Sequence, residues 1–178
     1  ERYDEENIDR LISIADKITE QIRFTTIYDE IGSKEPVWYR IKDIIPPKED
    51  FGDVIFQNDT DEIEVFADPM LKKVFSSLLD NSLRHGEGVS RIRLHNSNDD
   101  GFKIIWEDDG VGVPDGEKTG IFEQGRGKNT GFGLYITRDI LSITGMTIKE
   151  TGEQGRGARF EIHVPNGAYR SVGDESDR

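Results

Sequence analysis

Cysteine is absent from the 178 residues, which excludes disulfides and thiolate metal sites and leaves the redox compartment open. No apolar run approaches the ~20 residues needed to span a membrane as a helix. Basic side chains are in the minority, with 23 Lys and Arg against 36 Asp and Glu and a net charge of −13. A surface of that sign repels phosphate backbones, so nucleic acid is not an expected partner. A small anionic ligand would need local donors and a metal ion to offset its charge. Histidine is scarce too: only His85, His95 and His163 are present. The chain opens on Glu1 without a signal-peptide pattern and is expected to be a segment of a longer protein, whether or not that parent is membrane-anchored.

What is there begins with a helical seam. Ile8, Leu11, Ala15, Ile18, Ile22 and Thr25 recur in alternating steps of three and four, the spacing of a helical hairpin or coiled coil. Gly32 and Pro36 mark its end. Past them, residues 36–41 suit a short strand and 42–45 a helical turn. Residues 53–56 and 63–66 read as a hairpin around the polar stretch 58–61. Asp68 is placed to cap a helix with Pro69 at its first position, and Leu71, Val74, Phe75, Leu78 and Leu79 form its apolar stripe. A second hairpin spans 91–106 around Asn98–Gly101. Residues 108–130 lack a hydrophobic period and read as a loop able to move. A helix over 131–144 and a hairpin over 146–164 follow, with a polar, disordered tail expected over 166–178. The order predicts an α+β fold, a two-layer α/β sandwich with a mixed sheet of about five strands, helices on one face and an N-terminal helix in front. The expected divisions are 1–33, 34–165 and 166–178.

Four Gly-x-Gly pairs fall close together: Gly110/Gly112, Gly125/Gly127, Gly131/Gly133 and Gly155/Gly157. Glycine lets main chain approach a ligand and offer N–H groups to phosphate, although any single pair also fits a turn or hairpin bulge. The common phosphate motifs fail. A P-loop ending at Gly127-Lys128 would need glycine where Phe122 stands and Ser or Thr where Asn129 stands, and a dinucleotide fingerprint would need glycine at Thr130 or Ile136. On the helix after Pro69, Ser77, Asn81 and Arg84 fall in a narrow arc at the border of the apolar stripe. Asn81 offers a hard carbonyl ligand suited to Mg²⁺ and Arg84 a fork of donors for phosphate, though a plain amphipathic helix has such a border too. At the end of a buried-looking strand, Glu107-Asp108-Asp109-Gly110-Val111-Gly112 places an acceptor able to take an exocyclic amine next to two glycines, where the bland alternative is an acidic turn.

Together these pieces resemble the ATP-binding catalytic domain of sensor histidine kinases, within the gyrase, chaperone, kinase and mismatch-repair ATPase superfamily. Residues 78–85 resemble its N box, 108–112 its G1 box, 121–125 a shortened F box, 130–134 its G2 box and 155–160 its closing glycine motif. The resemblance implies the Bergerat fold, ATP and Mg²⁺ as cofactors, and a cytoplasmic location. It implies that Asn81 holds Mg²⁺, that Arg84 and His85 contact phosphates, and that Asp108 takes the adenine amine with Gly110 and Gly112 shaping that wall. Phe122 would anchor the lid and Lys128 would reach the outer phosphates. Thr130, Gly131, Gly133 and Leu134 would form the lid hinge and the helix N-terminus facing the phosphates. ATP is expected between the 71–85 helix and the mobile loop.

Two departures bear on activity. Ser77 stands where the hydrolases of the superfamily carry a general-base Glu, which argues for a kinase over an ATPase. The loop between Val113 and Thr130 is short. The first helix resembles the second helix of the dimerisation hairpin, which implies a homodimer, and the phosphoacceptor His is expected upstream of Glu1. The fragment should then bind ATP·Mg²⁺ without phosphorylating itself on that His, and a response regulator receiver domain would be the downstream partner. A serine protein kinase of the same fold and a non-catalytic interaction module are the alternatives.

Overall fold

The computed structural model describes residues 2–60, 62–123 and 133–172. Helix α1 (Arg2–Glu30) runs to the predicted stop, where Gly32 adopts a φ of 69°. Ile8, Leu11, Ile18 and Ile22 are exposed along it, whereas Phe24, Ile27 and Ile31 near its end pack against the core. Phe24 stacks on Tyr28 and lies 6.3 Å from the ring of Tyr135, so the last turns of α1 belong to the body of the domain.

Strand β1 (Val37–Arg40) leads into the short helix α2 (Ile41–Ile44) and a 3-10 turn over Lys48–Phe51. Strands β2 (Ile55–Asn58) and β3 (Ile63–Ala67) are consecutive, yet they do not form the expected hairpin. β2 pairs in parallel with β4 (Arg91–Ser97), while β3 pairs antiparallel with β1. The polar linker explains the parting. Asn58 Oδ1 accepts the Thr60 N–H at 3.0 Å and the Thr60 hydroxyl at 2.7 Å, an Asx turn that redirects the chain and buries Thr60.

Helix α3 (Leu71–His85) begins two residues later than Asp68 and Pro69 suggest. Asp68 makes the lead-in turn instead of capping: Oδ1 accepts the Met70 N–H at 2.7 Å and the carbonyl accepts the Leu71 N–H. Its Oδ2 accepts the Gly32 N–H at 3.0 Å, tying the end of α1 to the start of α3. The predicted stripe is the buried face, with Leu71, Val74, Phe75, Leu78 and Leu79 all in the core. Each such side chain contributes ~1.5–3 kcal/mol by leaving water.

The main sheet has the order β2-β4-β5-β7-β6, with β5 spanning Lys103–Asp108, β6 Thr147–Glu150 and β7 Arg159–His163. It is mixed, because only the β2–β4 pair is parallel. Ile92, Leu94, Ile104, Trp106, Phe160 and Ile162 are buried in the core with α3 and with α4 (Gly133–Ser142), the two helices packing side by side. Arg93, His95, Lys103, Glu107, Arg159 and Glu161 carry a ladder of ion pairs, the alternation expected of a sheet covered on one side. The α+β sandwich with about five strands and a leading helix is therefore the observed architecture.

A second sheet, β1-β3-β8, was not foreseen. Its last strand, β8 (Tyr169–Ser171), falls in the stretch expected to be a disordered tail and pairs antiparallel with β3. Tyr169 stacks on Phe102 at 4.0 Å, and Phe66 N–H bonds to the Ala168 carbonyl. Three residues with one inward aromatic carry too little periodicity to announce a strand.

Candidate functional site

α3 carries a serine on its apolar face. Ser82 lies four residues past Leu78 and is buried like its apolar neighbours. Its Oγ accepts the Trp106 indole N–H at 3.1 Å, and its own hydroxyl donates to Asp108 Oδ2 at 2.6 Å. Asp108 ends β5 and is 8% exposed. Its Oδ1 accepts the N–H groups of Gly110 at 3.1 Å and Ala158 at 3.0 Å. An ionised carboxylate offers about four lone-pair sites, so Oδ2 retains capacity for one further donor. Asp108 is thus a rigidly held acceptor, built from α3, β5 and the turn before β7.

Its neighbour is used differently. Asp109 Oδ1 accepts the N–H groups of Ser90 and Arg91, and Oδ2 accepts the Ser90 hydroxyl at 2.6 Å. Burial pushes the Asp109 carboxyl up, but the Ser90 hydroxyl and these N–H groups outweigh it and hold it below its ordinary value. Of the two adjacent acids one secures the loop before β4 and the other keeps acceptor capacity.

The glycines around Asp108 are needed by the main chain itself. A Cβ on Gly110 would stand 2.4 Å from the Gly86 carbonyl oxygen, and one on Gly157, where φ is +119°, would stand 1.8 Å from that of Asp108. Gly112 abuts the Gly157 carbonyl in the same way. Val111 N–H bonds to the Gly86 carbonyl and Gly155 N–H to the Val111 carbonyl, closing the layer. Gly110 and Gly112 therefore lie beside Asp108 as expected, but the room their missing side chains leave is filled by backbone.

The other expected residues are placed as follows. Asn81 is half-buried on α3, and Arg84 and His85 are exposed at its end, with Arg84 paired to Asp80. Phe122 closes a 3-10 turn over Gly120–Phe122 and is buried edge-on against Phe160, at 6.3 Å and 88°. Gly133 opens α4, and a Cβ there would meet Ser77 Oγ at 3.8 Å, so Ser77 stands at the foot of α4. Leu134 is half-buried on the same turn. Lys128, Thr130 and Gly131 lie outside the described residues, as do Gly125 and Gly127. The structure thus gathers Asp108, Gly110, Gly112 and the end of α3 at one place and Ser77 with Gly133 at another along the same helix. Sequence reasoning missed Ser82, Trp106 and Gly86. Ser82 left a signal, a lone hydroxyl in register with an apolar stripe.

Residues 67–168 match the family described as histidine kinase-, DNA gyrase B-, and HSP90-like ATPase. The alginate biosynthesis sensor protein KinB of Pseudomonas aeruginosa is 34% identical over 101 residues, covering 53% of this chain and 17% of KinB. The aerobic respiration control sensor protein ArcB of Escherichia coli (strain K12) is 30% identical over 120 residues, 60% of this chain and 15% of ArcB. The chain therefore spans less than a fifth of either relative. Among solved structures, full-length ShkA in complex with AMPPNP superposes with a TM-score of 0.66 at 20% identity, over 84% of this chain and 36% of ShkA. The catalytic domain of histidine kinase ThkA superposes with a TM-score of 0.59 at 21% identity, over 74% of this chain and 96% of ThkA, and these two likenesses speak for the fold. With its family match running from the end of β3 to the start of β8 and enclosing the Asp108 layer, the chain belongs to the histidine kinase-, DNA gyrase B- and HSP90-like ATPases, as a catalytic domain of the sensor histidine kinase kind.

Proposed function

We propose that this domain binds ATP with Mg²⁺ and presents the γ-phosphate to a histidine of its parent kinase, for relay to a response regulator receiver domain. The observation that carries this reading is Asp108, a buried carboxylate fixed by Ser82, Gly110 and Ala158 with acceptor capacity left on Oδ2. A fixed acceptor in a water-poor setting discriminates strongly for a ligand that brings an N–H, such as the adenine amine, because a mismatched ligand leaves it unpaired.

Asn81 would hold the metal through its carboxamide oxygen. Among the described residues no group of three or more acids or histidines is arranged as a metal site. Mg²⁺ beside a triphosphate keeps several waters and takes further ligands from the phosphate oxygens, so it needs few ligands from the protein. When bound, the ion neutralises charge on the phosphates. Arg84, His85 and Lys128 would add donors, with Arg84 exchanging Asp80 for phosphate. Gly133 and Leu134 open α4, and with Thr130 and Gly131 they would present its N-terminal N–H groups. Phe122 would anchor the lid on Phe160.

Ser77 at the foot of α4 is no general base at neutral pH, which favours transfer to a protein nucleophile over transfer to water. None of the three histidines lies on α1: His85 ends α3, His95 is on β4 and His163 ends β7. The acceptor is therefore assigned outside this sequence, and the exposed stripe of α1 is assigned to a homodimeric hairpin. Calorimetric titration of ATP, with and without Mg²⁺, tests the reading. Saturable binding that Asp108→Asn abolishes is expected, and absence of binding to the unaltered protein would overturn it.

A further inference from the structure

Strand β6 places a carboxylate where its neighbours are apolar. The Glu150 side chain is fully buried, on the same side of the strand as Ile148 and opposite Phe160 in register. Its Oε1 accepts the N–H groups of Gly152 at 3.0 Å and Arg159 at 3.1 Å. Its Oε2 has no hydrogen-bond partner among the described residues, and Lys118 Nζ is the cation beside it, at 3.6 Å. Burying a carboxylate with no counter-charge is strongly unfavourable, so this pair is not an incidental surface contact.

Lys118 comes from the stretch that follows Gly112 and Pro114. It sits in the turns between Pro114 and the 3-10 element that carries Phe122, and its side chain is 21% exposed. Its Nζ lies 2.9 Å from Asp115 Oδ1 and donates to the Gly152 carbonyl. The bond to Asp115 and then the charge of Glu150 outweigh the opposing effect of burial and hold the ammonium above its ordinary pKa. One side chain thus links the stretch leading into Phe122 to the turn joining β6 and β7.

That turn builds the wall around Asp108. Gly152 is stacked on Gly157, with a Cβ on Gly152 falling 2.6 Å from the Gly157 carbonyl. Gly157 in turn abuts Asp108 and Gly112, and Ala158 supplies one of the two N–H groups on Asp108 Oδ1. Displacing Gly152 would move Gly157 and Ala158 with it.

We propose that Lys118 and Glu150 are positioning residues for the base pocket, holding the β6–β7 turn against Asp108 and Gly112 so that the acceptor stays aligned with the base. This rests on Asp108 being the adenine acceptor. Among the described residues Lys118 and Glu150 bond to Asp115, Gly152, Arg159 and each other, none of them an expected phosphate donor, so the effect is expected on the base and not on the triphosphate.

The test is calorimetry of ATP and of adenosine with the whole chain, the unaltered protein and Lys118→Met, Glu150→Gln and Lys118→Arg, each well below its melting temperature. Glu150→Gln keeps an acceptor for Gly152 and Arg159, and so keeps the turn satisfied. Lys118→Met and Glu150→Gln should raise the Kd for ATP and adenosine by the same factor, about tenfold, the size seen when groups that orient metal ligands are removed. Lys118→Arg should restore most of the affinity. Lower melting temperatures with unchanged Kd for both ligands would overturn the proposal and leave the adenine reading standing. Failure of the unaltered protein to bind adenosine or ATP would remove the adenine reading itself, and the proposal with it.

Discussion

Ser82 Oγ lies 2.6 Å from Asp108 Oδ2 while accepting the Trp106 indole N–H at 3.1 Å, so one hydroxyl joins the core aromatic of β5 to the acceptor at its end. Both partners are buried, and neither can turn to water if the hydroxyl is removed. Ser82→Ala is expected to lower stability by about 1–3 kcal/mol, the cost of leaving buried polar groups unpaired. It should also loosen Asp108 and weaken ATP binding. Urea unfolding and calorimetry on one preparation would measure both effects. Unchanged values in both would mean that the hydroxyl does not orient the carboxylate.

The proposed metal role of Asn81 can be tested apart from the proposed base role of Asp108. Asn81 stands on α3 one residue before Ser82 but half-buried, and it makes none of the contacts that hold Asp108. Asn81→Ala should leave adenosine affinity unchanged and erase the Mg²⁺ dependence of ATP affinity. A variant that still responds to Mg²⁺ would place the ion elsewhere.

Gly157→Ala should be among the most damaging single changes. The new Cβ would meet the Asp108 carbonyl at 1.8 Å at a φ of +119°. Overpacking and an unfavourable dihedral each cost ~1–3 kcal/mol. Gly155→Ala, with open space around its Cβ, pays only the dihedral cost at φ +87°. Thermal melts of the pair should show a clearly larger drop for position 157. Equal drops would mean that the wall yields easily.

Acid should weaken the domain through paired carboxylates. The hydrogen bond from Arg170 and, against the opposing effect of burial, that from Arg40 hold Glu64 below its ordinary 4.5. Burial pushes Glu161 up, but Arg159, Thr151 and Lys103 outweigh it and hold it below 4.5 as well. A carboxylate depressed in the folded state contributes stability that is present above the unfolded pKa and lost as pH falls through the folded one. Urea midpoints should therefore hold steady above about pH 5 and decline below about pH 4.5. Glu64→Gln should flatten part of that decline, and a variant with the full acid slope would exclude the Glu64 pairs as its source.

The stripe on α1 predicts association. Leu11 and Ile18 are 65% and 54% exposed on one line of the helix. Leu11→Asp with Ile18→Asp should shift the protein toward monomer in sedimentation while leaving adenosine binding intact. No change in sedimentation would assign the stripe to another partner.

Much of this was legible in the residues. Leu71 to Leu79 announced α3 through helical spacing, and the β4–β5 and β6–β7 hairpins announced themselves through alternation about polar turns. Asp108, Gly110 and Gly112 stood out because an acid and two glycines at a strand end have few uses. The errors have physical causes. Ile55–Asn58 and Ile63–Ala67 look like hairpin partners because local spacing cannot tell a tight reversal from an Asx turn at Asn58 that sends the chain to another sheet. Asp68 looks like a cap because a helix-starting acid and a turn-making acid share one local pattern. Ser82 and Glu150 escaped notice because each polar side chain is explained only by a neighbour far along the chain, at Asp108 and at Lys118.

The contact of Gly110 with Gly86, and of Gly157 with Asp108 and Gly112, has a consequence for how this domain can vary. A surface made of main chain has the same shape whatever side chains surround it, provided that its glycines keep theirs absent. The shape of this wall is therefore set at a handful of glycine positions, with Asp109 between them tied to Ser90 and Arg91. Tuning its chemistry by substitution is correspondingly hard, because no side chain there is available to exchange. On the proposed reading of the site, altered ligand preference would have to come from the edges, at Asp108 or Asn81, or from residues behind the wall.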